Sequence, residues 1–514
     1  MEQFLCKHIR LPNLMDALLI ALIALFIQPA IAEINIAPIF GSHMVLQSET
    51  AVKVWGTAVA GEVVVVTFSG QKKEAIADKG GKWLLTLDPL KYGQSGVFKV
   101  NETIFQDVLV GEVWLGSGQS NMAGRVKVYA KKDPKLKNMS QGTYPHLRLY
   151  NSYTKKWAIA RPQTNEKFSA LLFAFGLSLN QALNVPVGLM YGAVSATTSS
   201  RWLLPEMAED DAELMAALKE KSGIESISEL NVKAAITKKR YLIMRAKMVS
   251  EGKEPHRFRG AHEVGDLFES HLSHIVPYTF RGVLWDQGEG RKTLPGTDQY
   301  LTMNALINGW RNLWNHGDFY FLHMQKPSGS GCALSYDNPI NIGARKCRAL
   351  PKSDNQNSIT LSHPLAHINI AKIKNSPLVT TSDLEPGIHP RNKSGYGMRA
   401  SIVALGLVYN QNIVTSGPTF VSQKIEGSRI RISFDHIGKG LVFKHMEKLQ
   451  GFEISAGDGI WMWANAIIDG GNVVISHPDI KEPTMSRYGF RGRNNFSNLF
   501  NKDGWPAIMF SSQY

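Results

Sequence analysis

Side chains that could carry out acyl transfer follow several apolar, strand-like runs of the sequence. Ser120 lies in the stretch GQSNM, Gln287 and Glu289 lie in DQGEG, and His389 lies in SDLEPGIHPRNKSG. A serine hydroxyl is a weak nucleophile at neutral pH, and it needs a base within hydrogen-bond reach. A histidine can take that proton and later return it to the leaving group. These residue types therefore predict a serine nucleophile served by a histidine base.

The same stretches contain groups that could stabilise a tetrahedral oxyanion. Candidate donors are the backbone amide of Ser120, one amide in the loop at 195–197, for which we choose Ala196, and the side chain of Gln287. One such donor contributes about 10²–10³ in rate. Ser120 could instead cap a helix, and His389 could be an ordinary loop histidine. Their joint placement after predicted strands favours the chemical interpretation.

The elements that would position these residues are strands alternating with helices between about residues 108 and 412. The predicted strands are DVLVGEVWL (107–115), VPVGLMYG (185–192), FRGVLWDQ (280–287), DFYFLHMQ (318–325) and PLVTTSD (377–383). Apolar residues at helical spacing between them predict helices, and a further helix is expected after Lys393. This alternation indicates an α/β fold, with a parallel sheet flanked by helices on both faces. In such a fold, polar residues just past the strand ends share one edge of the sheet.

The pattern changes along the chain and divides it into four predicted regions. These are a signal peptide at 1–32, a β-rich region at 33–108, an α/β catalytic region at 109–412 with a helical insertion at 206–265, and a second β-rich region at 413–514. The first region has a positively charged start, an apolar run and a small-residue cleavage site. We therefore expect an exported protein, periplasmic or secreted, with no membrane span after removal of the signal peptide.

Composition narrows the possible partners. The formal net charge is +14, from 57 Lys and Arg against 43 Asp and Glu, and it is spread widely along the chain. Positive charge could attract acidic polymers, but the sequence contains no nucleic-acid-binding motif, and we expect no nucleic-acid partner.

Cys332 and Cys347 remain after loss of the signal peptide. They could form one disulfide or remain two buried thiols, because sequence spacing does not fix their geometry.

Several motifs resemble those of the sialate O-acetylesterase-like carbohydrate esterases, a branch of the SGNH-type hydrolases. GEVWLGSGQSNM (111–122) is similar to the family's serine block, WDQGEG (285–290) to its Trp-x-Gln-Gly-Glu block, and IHPRNKSGYGMR (388–399) to its histidine block. The similarity extends to both β-rich regions, at 37–66 and 433–459. The resemblance implies an SGNH-hydrolase-like fold and hydrolysis of an O-acetyl ester on a sugar, either sialic acid or an acetylated polysaccharide. It implies no metal and no cofactor.

The resemblance also implies roles for the matched residues. Ser120 matches the nucleophile and His389 the base, while Gln287 lies in the block that helps to bind the oxyanion. Trp202 and Trp285, beside the motif loops, could stack on sugar rings, and Asn121 and Arg291 are further candidates for contacts with the substrate.

The acid that orients the histidine is open between three carboxylates. Glu289 matches the carboxylate of the Gln-Gly-Glu block and is our first choice, with Asp383 and Glu385 as alternatives nearer to the histidine in sequence. Related SGNH enzymes often place an aspartate three residues before the histidine, where this chain has Pro386.

The chain departs from the family's pattern at two places. Gly290 and Arg291 follow Gln-Gly-Glu where the family commonly has Ser-Asn, and residues 194–197 read Val-Ser-Ala-Thr in place of Trp-Gly-Gly-Thr. Arg291 and Lys292 put positive charge beside the predicted site, which favours acidic or sulfated glycans. The departures also keep open an alternative function, that of a catalytically degenerate family member which binds carbohydrate.

His271 and His274 are spaced by three residues near Glu269, as metal ligands on a helix could be. A third ligand at suitable spacing is missing from the sequence, so a plain helix face is the favoured interpretation.

Overall fold

The computed structural model describes residues 34–513, apart from residues 257, 259, 289–293, 327, 330, 352–361 and 491–493. The predicted signal peptide at 1–32 therefore lies outside the described residues, and so do Glu289 and Arg291. No helix in the described part of the chain is long and apolar enough to cross a membrane.

The first part of the chain forms short strands that lead into one long strand. In order they are β1 (Asn35–Ile36), β2 (Val45–Gln47), β3 (Val52–Thr57), β4 (Val63–Phe68), β5 (Gln71–Ile76), β6 (Lys82–Leu87), β7 (Ser95–Val100) and β8 (Thr103–Gly118). β8 pairs with β2 and β7 through its first half and with strands of the central sheet through its second half. The predicted region boundary between residues 108 and 109 falls inside this strand, so both predicted regions share it.

Strands and helices alternate through the middle of the chain, as the apolar pattern predicts. The helices are α1 (Ser120–Ala123), α2 (Val126–Tyr129), α3 (Pro134–Ser140), α4 (Pro162–Asn165), α5 (Ala170–Leu183), α6 (Pro205–Glu209), α7 (Ala212–Ser222), α8 (Ile227–Ser250), α9 (Asp266–His271), α10 (Gln299–Trp314), α11 (Ser362–Ile370) and α12 (Lys393–Leu407). The strands are β9 (Tyr144–Asn151), β10 (Lys156–Ala160), β11 (Val187–Ala193), β12 (Gly282–Asp286), β13 (Tyr320–Met324) and β14 (Leu378–Val379). Helices α6 to α8 lie in the predicted insertion.

These strands form a mixed sheet of eleven strands among the described residues, with the main path β10-β9-β11-β8-β12-β13-β14. From β9 to β14 neighbouring strands on this path are parallel, and β10 is antiparallel to β9. Each of the five predicted α/β strands is present. The pattern missed β9 and β10, because β9 carries a charged residue inward: Arg148 is 3% exposed and pairs with Asp107 at 2.6 Å.

Helices cover both faces of this sheet, and the side chains of β8 alternate between them. Trp114 packs edge-on against Phe175 of α5, with ring centroids 5.0 Å apart, in a core that α12 also joins. Leu115 points to the other face, into a core that includes Trp285 and Trp310 of α10. Both faces of the strand that leads to Ser120 are therefore apolar and packed, which fixes the position of its carboxyl end.

The last part of the chain forms short antiparallel strands. They are β15 (Thr419–Glu426), β16 (Arg429–Asp435), β17 (Leu441–Phe443), β18 (Phe452–Ser455), β19 (Met462–Trp463), β20 (Asn465–Asp469), β21 (Asn472–Ser476), β22 (Met485–Tyr488), β23 (Leu499–Asn501) and β24 (Phe510–Ser511). Two sheets of four strands and one pair enclose a core that includes Ile432, Phe452 and Tyr488.

A disulfide joins Cys332 to Cys347, with their Cα atoms 5.1 Å apart, which decides between the two states left open by the sequence. The segment that it closes touches two parts of the molecule. On one side, His445 lies 2.9 Å from the carbonyl oxygen of Ala333. On the other side, the Asn341 amide donates to the Asp383 carboxylate at 2.8 Å. The segment therefore lies between the last β region and the loop that follows β14.

Candidate active site

The carboxyl ends of β11, β8 and β12 bring three of the predicted motif loops together. Gly118, the last residue of β8, pairs with Ala193 on one side and with Asp286 on the other. The Gln119 amide donates to the Asp286 carbonyl at 2.9 Å, and the Val194 amide donates to the Gly118 carbonyl at 3.3 Å. Ser120, the loop at 194–197 and Gln287 therefore begin at adjacent positions of one sheet edge.

Gly118 permits this close junction. Its φ is +123°, and an added Cβ would lie 2.2 Å from the Asp286 carbonyl oxygen. Any other residue would be strained by its backbone conformation and would clash with β12. The glycine of the serine block thus lets the chain turn from the packed strand directly into the helix that begins at Ser120.

Ser120 is the first residue of α1, and the residue at the N-cap position is Gln119, whose side chain makes no capping hydrogen bond. Ser120 is half-buried, and its hydroxyl makes no hydrogen bond to any described residue. The alternative in which the Ser120 hydroxyl caps a helix is therefore not what the structure shows. The hydroxyl is left available for other partners.

Asn121 connects the serine turn to the histidine loop. Its Nδ2 donates to the carbonyl oxygen of Ile388 at 3.0 Å, and its Oδ1 accepts from the Lys393 ammonium at 2.5 Å. Asn121, a predicted substrate contact, is 1% exposed, and both its Nδ2 and its Oδ1 bond to groups of the protein, so the structure gives it a role inside the fold. The residues after Ser120 and before His389 are thereby bonded to each other.

Lys393 is a buried cation that sequence reasoning did not single out as part of the site. It is 0% exposed, and its Nζ lies 4.6 Å from the centroid of the Tyr129 ring, on which a cation is attracted to the π-electrons. A lysine at the start of a predicted helix ordinarily extends into water, so the sequence carried no signal for its burial.

His389 itself is exposed, in the loop between β14 and α12. Its ring makes no hydrogen bond to any described residue. It is therefore free to act on a group outside the loop, and its backbone position is set by the bond between Ile388 and Asn121.

The two local candidates for the acid are buried and engaged by other groups. Asp383 is 0% exposed and pairs with the Arg399 guanidinium through bonds of 3.0 and 2.8 Å. Glu385 accepts from the Arg391 side chain at 2.6 Å and from the backbone amide of Asn392 at 2.7 Å. Within the described residues, neither carboxylate bonds to His389. Both fix the shape of the loop that carries it.

Three potential donors belong to the loops that meet at this junction. Gln287 is 3% exposed, and its Nε2 donates to the Thr197 carbonyl at 2.7 Å, which leaves its second N–H hydrogen for another acceptor. Among the described residues, the backbone amides of Ser120 and Ala196 donate to no acceptor. Each of the three groups predicted for the oxyanion therefore has an N–H available.

Ala196 adopts an unusual backbone conformation for a residue with a side chain. Its φ is +59°, in the left-handed region that favours glycine, and its side chain is exposed. The family pattern places a glycine in this loop. Ala196 thus holds a glycine-type conformation, at a cost of about 1–2 kcal/mol.

Charged and titratable side chains are buried at the carboxyl ends of β12 and β13. The Asp286 carboxylate and the Lys326 ammonium are both 0% exposed and lie 2.8 Å apart. The nearby His323 donates through Nε2 to the His367 carbonyl at 3.0 Å, and burial lowers the pKa of His323 to about 4. An ion pair and a neutral histidine are thus buried at this end of the sheet.

Trp202 and Trp285, two predicted substrate contacts, both lie in the core. They are 0% and 1% exposed and pack edge-on against each other, with ring centroids 6.4 Å apart. Proximity to the motif loops in sequence did not reveal that both rings point into the core.

The histidine pair His271 and His274 is also part of the packing, since His274 lies 2.9 Å from the Tyr150 hydroxyl. No group of three potential metal ligands occurs among the described residues.

Comparisons with known proteins agree on one class. No protein-family model matches the chain. The sialate O-acetylesterase of Homo sapiens is 25% identical over 466 residues, which cover 81% of this chain and 78% of that protein. The sialate O-acetylesterase of Rattus norvegicus is 26% identical over 470 residues, which cover 81% of each.

A crystal structure with a similar fold is that of a carbohydrate acetylesterase from Xanthomonas citri. It matches with a TM-score of 0.72 and 21% sequence identity, over 93% of this chain and 99% of that chain. At this identity the match establishes the shared fold.

Proposed function

We propose that this chain, a carboxylic ester hydrolase of the sialate O-acetylesterase-like family of carbohydrate esterases, removes O-acetyl groups from carbohydrate. In this proposal Ser120 is the nucleophile and His389 is the base. The observation that carries this proposal is the 3.0 Å bond from the Asn121 side chain to the Ile388 carbonyl. It joins the residue after Ser120 to the residue before His389, two residues separated by most of the catalytic region.

The proposed reaction proceeds in two steps. His389 takes the hydroxyl proton while Ser120 Oγ attacks the acetyl carbonyl, and it then gives that proton to the sugar oxygen as the ester bond breaks. Water next attacks the acetyl-serine: His389 takes a proton from the water and returns it to Ser120 Oγ as acetate leaves. The negative charge of each tetrahedral intermediate would be held by the free amides of Ser120 and Ala196 and by Gln287. Every step uses side chains and backbone of this chain, with no metal or cofactor.

Glu289 remains the proposed acid. Asp383 and Glu385 already accept charged hydrogen bonds from Arg399 and Arg391. A carboxylate so engaged is a poor acceptor for a histidine ring, because its charge is already balanced and most of its acceptor sites are occupied. The expected consequence is that Glu289→Gln lowers kcat strongly while Asp383→Asn acts mainly on stability.

We further propose an SGNH-hydrolase-like arrangement of the catalytic region and export of the protein to the periplasm or outside the cell. The signal-like sequence at 1–32 supports export. The bond between Cys332 and Cys347 also supports it, because disulfides persist in oxidising compartments.

Acetate release from O-acetylated sialic acids, xylans and pectins by the purified protein tests the proposal. We expect release from at least one of them, and its loss in Ser120→Ala with an unchanged melting temperature. A wild-type protein that binds an acetylated glycan but releases no acetate would refute the esterase proposal in favour of a carbohydrate-binding protein.

A further inference from the structure

The edge of the sheet that carries the three motif loops also carries an aromatic residue, Tyr153, that the sequence did not reveal. Tyr153 follows β9, the neighbour of β11 on the side away from β8. Its hydroxyl donates to the Ala193 carbonyl at 2.8 Å, and the Tyr191 hydroxyl donates to the same oxygen at 3.1 Å. Tyr153 is therefore fixed to the residue that precedes the proposed oxyanion loop.

The Tyr153 ring is open to solvent, unlike the other aromatic residues considered near the site. It is 52% exposed, and its edge-on neighbour His271 lies with ring centroids 4.7 Å away. His271 is half-buried and is backed by the buried Trp202, with centroids 6.1 Å apart. An exposed ring held by a hydrogen bond and by a packed wall presents a rigid apolar face, which sugar rings cover with their C–H groups at little entropic cost.

A cation lies beside this ring. Arg125 is exposed, and it forms no ion pair with any described residue. The Arg125 backbone pairs with Ser169, and the ring of the preceding residue, Phe168, lies 5.7 Å from the ring of Tyr191, whose hydroxyl shares the Ala193 carbonyl with Tyr153. The positive charge of Arg125 also lowers the pKa of the Tyr153 phenol, against the larger raising effect of burial. The side of the site away from His389 thus combines an aromatic face with an uncompensated positive charge.

The spacing of the strands sets which part of a substrate could reach Tyr153. Ser120 follows β8, and Tyr153 follows the second strand from it, so about 10 Å separates the two strand ends at the usual interstrand distance. One pyranose ring does not bridge that distance, but two linked rings do. The geometry therefore favours a glycan that extends from the serine across the loop at 194–197.

We propose that Tyr153 and His271 form a subsite for the sugar linked to the acetylated one, and that Arg125 favours an acidic sugar there. This inference rests on the proposed esterase function and deepens it: the substrate class is an acetylated oligosaccharide, with a carboxylate on the second ring. Tyr153 and Arg125 are then specificity-determining residues, and neither takes part in the bond changes.

The test compares kcat/KM for p-nitrophenyl acetate, an O-acetylated monosaccharide, a neutral O-acetylated disaccharide and one whose second sugar is a uronic acid. In Tyr153→Ala, the ratio of the disaccharide value to the p-nitrophenyl acetate value is expected to fall about fivefold to tenfold, from the apolar area lost to the second ring. Tyr153→Phe keeps the ring and is expected to retain the wild-type ratio.

Arg125→Ala tests the charge. It is expected to lower kcat/KM for the uronic acid substrate by about twofold to fivefold relative to the neutral disaccharide, and added salt should remove the difference. Arg429→Ala is the matched control, since Arg429 is an exposed arginine of β16 in the last β region. It should leave all four values unchanged.

The outcomes separate this inference from the proposal on which it rests. A wild-type enzyme that hydrolyses the acetylated sugars, with equal substrate ratios in wild type and Tyr153→Ala, overturns the subsite alone. A wild-type enzyme that releases acetate from none of the sugars refutes the proposed function and the subsite with it. Equal effects of Arg125→Ala and Arg429→Ala would overturn the role of Arg125.

Discussion

Replacing Asn121 by Asp tests whether the contact between the serine turn and the histidine loop matters for catalysis. The aspartate carboxylate can still accept from Lys393, but it cannot donate to the Ile388 carbonyl, now 3.0 Å from an amide nitrogen. The Ile388 carbonyl loses its donor and faces a carboxylate oxygen, which costs about 1–3 kcal/mol, while the retained lysine contact becomes an ion pair that offsets part of this cost. We therefore expect the free energy of unfolding to fall by about 1–2 kcal/mol.

The effect on activity should be much larger. Without the Asn121 bond, the exposed His389 loses a constraint that lies one residue away, and a displacement of about 1 Å in a catalytic group costs about 10²-fold in rate. We expect kcat for p-nitrophenyl acetate to fall by about that factor, with urea unfolding measured on the same preparation. Lys393→Met is the companion variant, because it removes the bond from the ammonium to Asn121 Oδ1 and leaves Asn121 Nδ2 able to donate to the Ile388 carbonyl.

The expected result is a large fall in kcat together with a small fall in the free energy of unfolding. A kcat within twofold of wild type in Asn121→Asp would refute the reasoning, because the contact would then only help to hold the fold. A parallel loss of kcat and of folded protein would refute it as well, since the lost activity would then follow from unfolding.

Three further predictions concern stability. Ala196→Gly should raise the free energy of unfolding by about 0.5 kcal/mol in urea titrations, because relief of the left-handed strain exceeds the added entropy of the unfolded chain; a loss above 1 kcal/mol would contradict this. The double variant Cys332→Ser and Cys347→Ser should lose about 3 kcal/mol, since the closed loop restricts the unfolded chain, and an unchanged urea midpoint would show that the bond adds nothing. Burial lowers the pKa of His323 to about 4, so between pH 6.5 and 4 the unfolded state binds the extra proton and stability falls as the pH falls. His323→Phe should flatten that part of the pH dependence of the melting temperature, and a slope equal to wild type would exclude His323 as its source.

The sequence predicted the catalytic sheet well, because apolar runs are a direct consequence of burial on both faces. It failed where a buried element carries charge. β9 was missed since Arg148 is neutralised by Asp107, a residue 41 positions away that no local pattern connects to it. Because β9 was missed, Tyr153, which follows it, was missed as well. The proposed second-sugar subsite depends on this residue.

The sequence also predicted the positions of the motifs better than it predicted which of their side chains are buried. The serine turn, the loop with Ala196 and Gln287 come together because adjacent parallel strands end at one edge. Asn121 and Trp285 lie in the same motifs but point inward. Which side of a turn a side chain occupies depends on packing from distant segments, and that information is not local.

The long strand β8 has a consequence for the order in which the protein is made. Its first half pairs with strands that precede it in the chain, whereas its second half waits for β11 and β12, which follow it. The contact that joins the serine turn to the histidine loop spans 267 residues. During synthesis, the amino-terminal strands can fold as they emerge, while Ser120 stays at the end of a half-paired strand until most of the chain has been translated. Such late pairing of distant segments slows folding. The nascent chain therefore contains its proposed nucleophile long before the proposed active site can form.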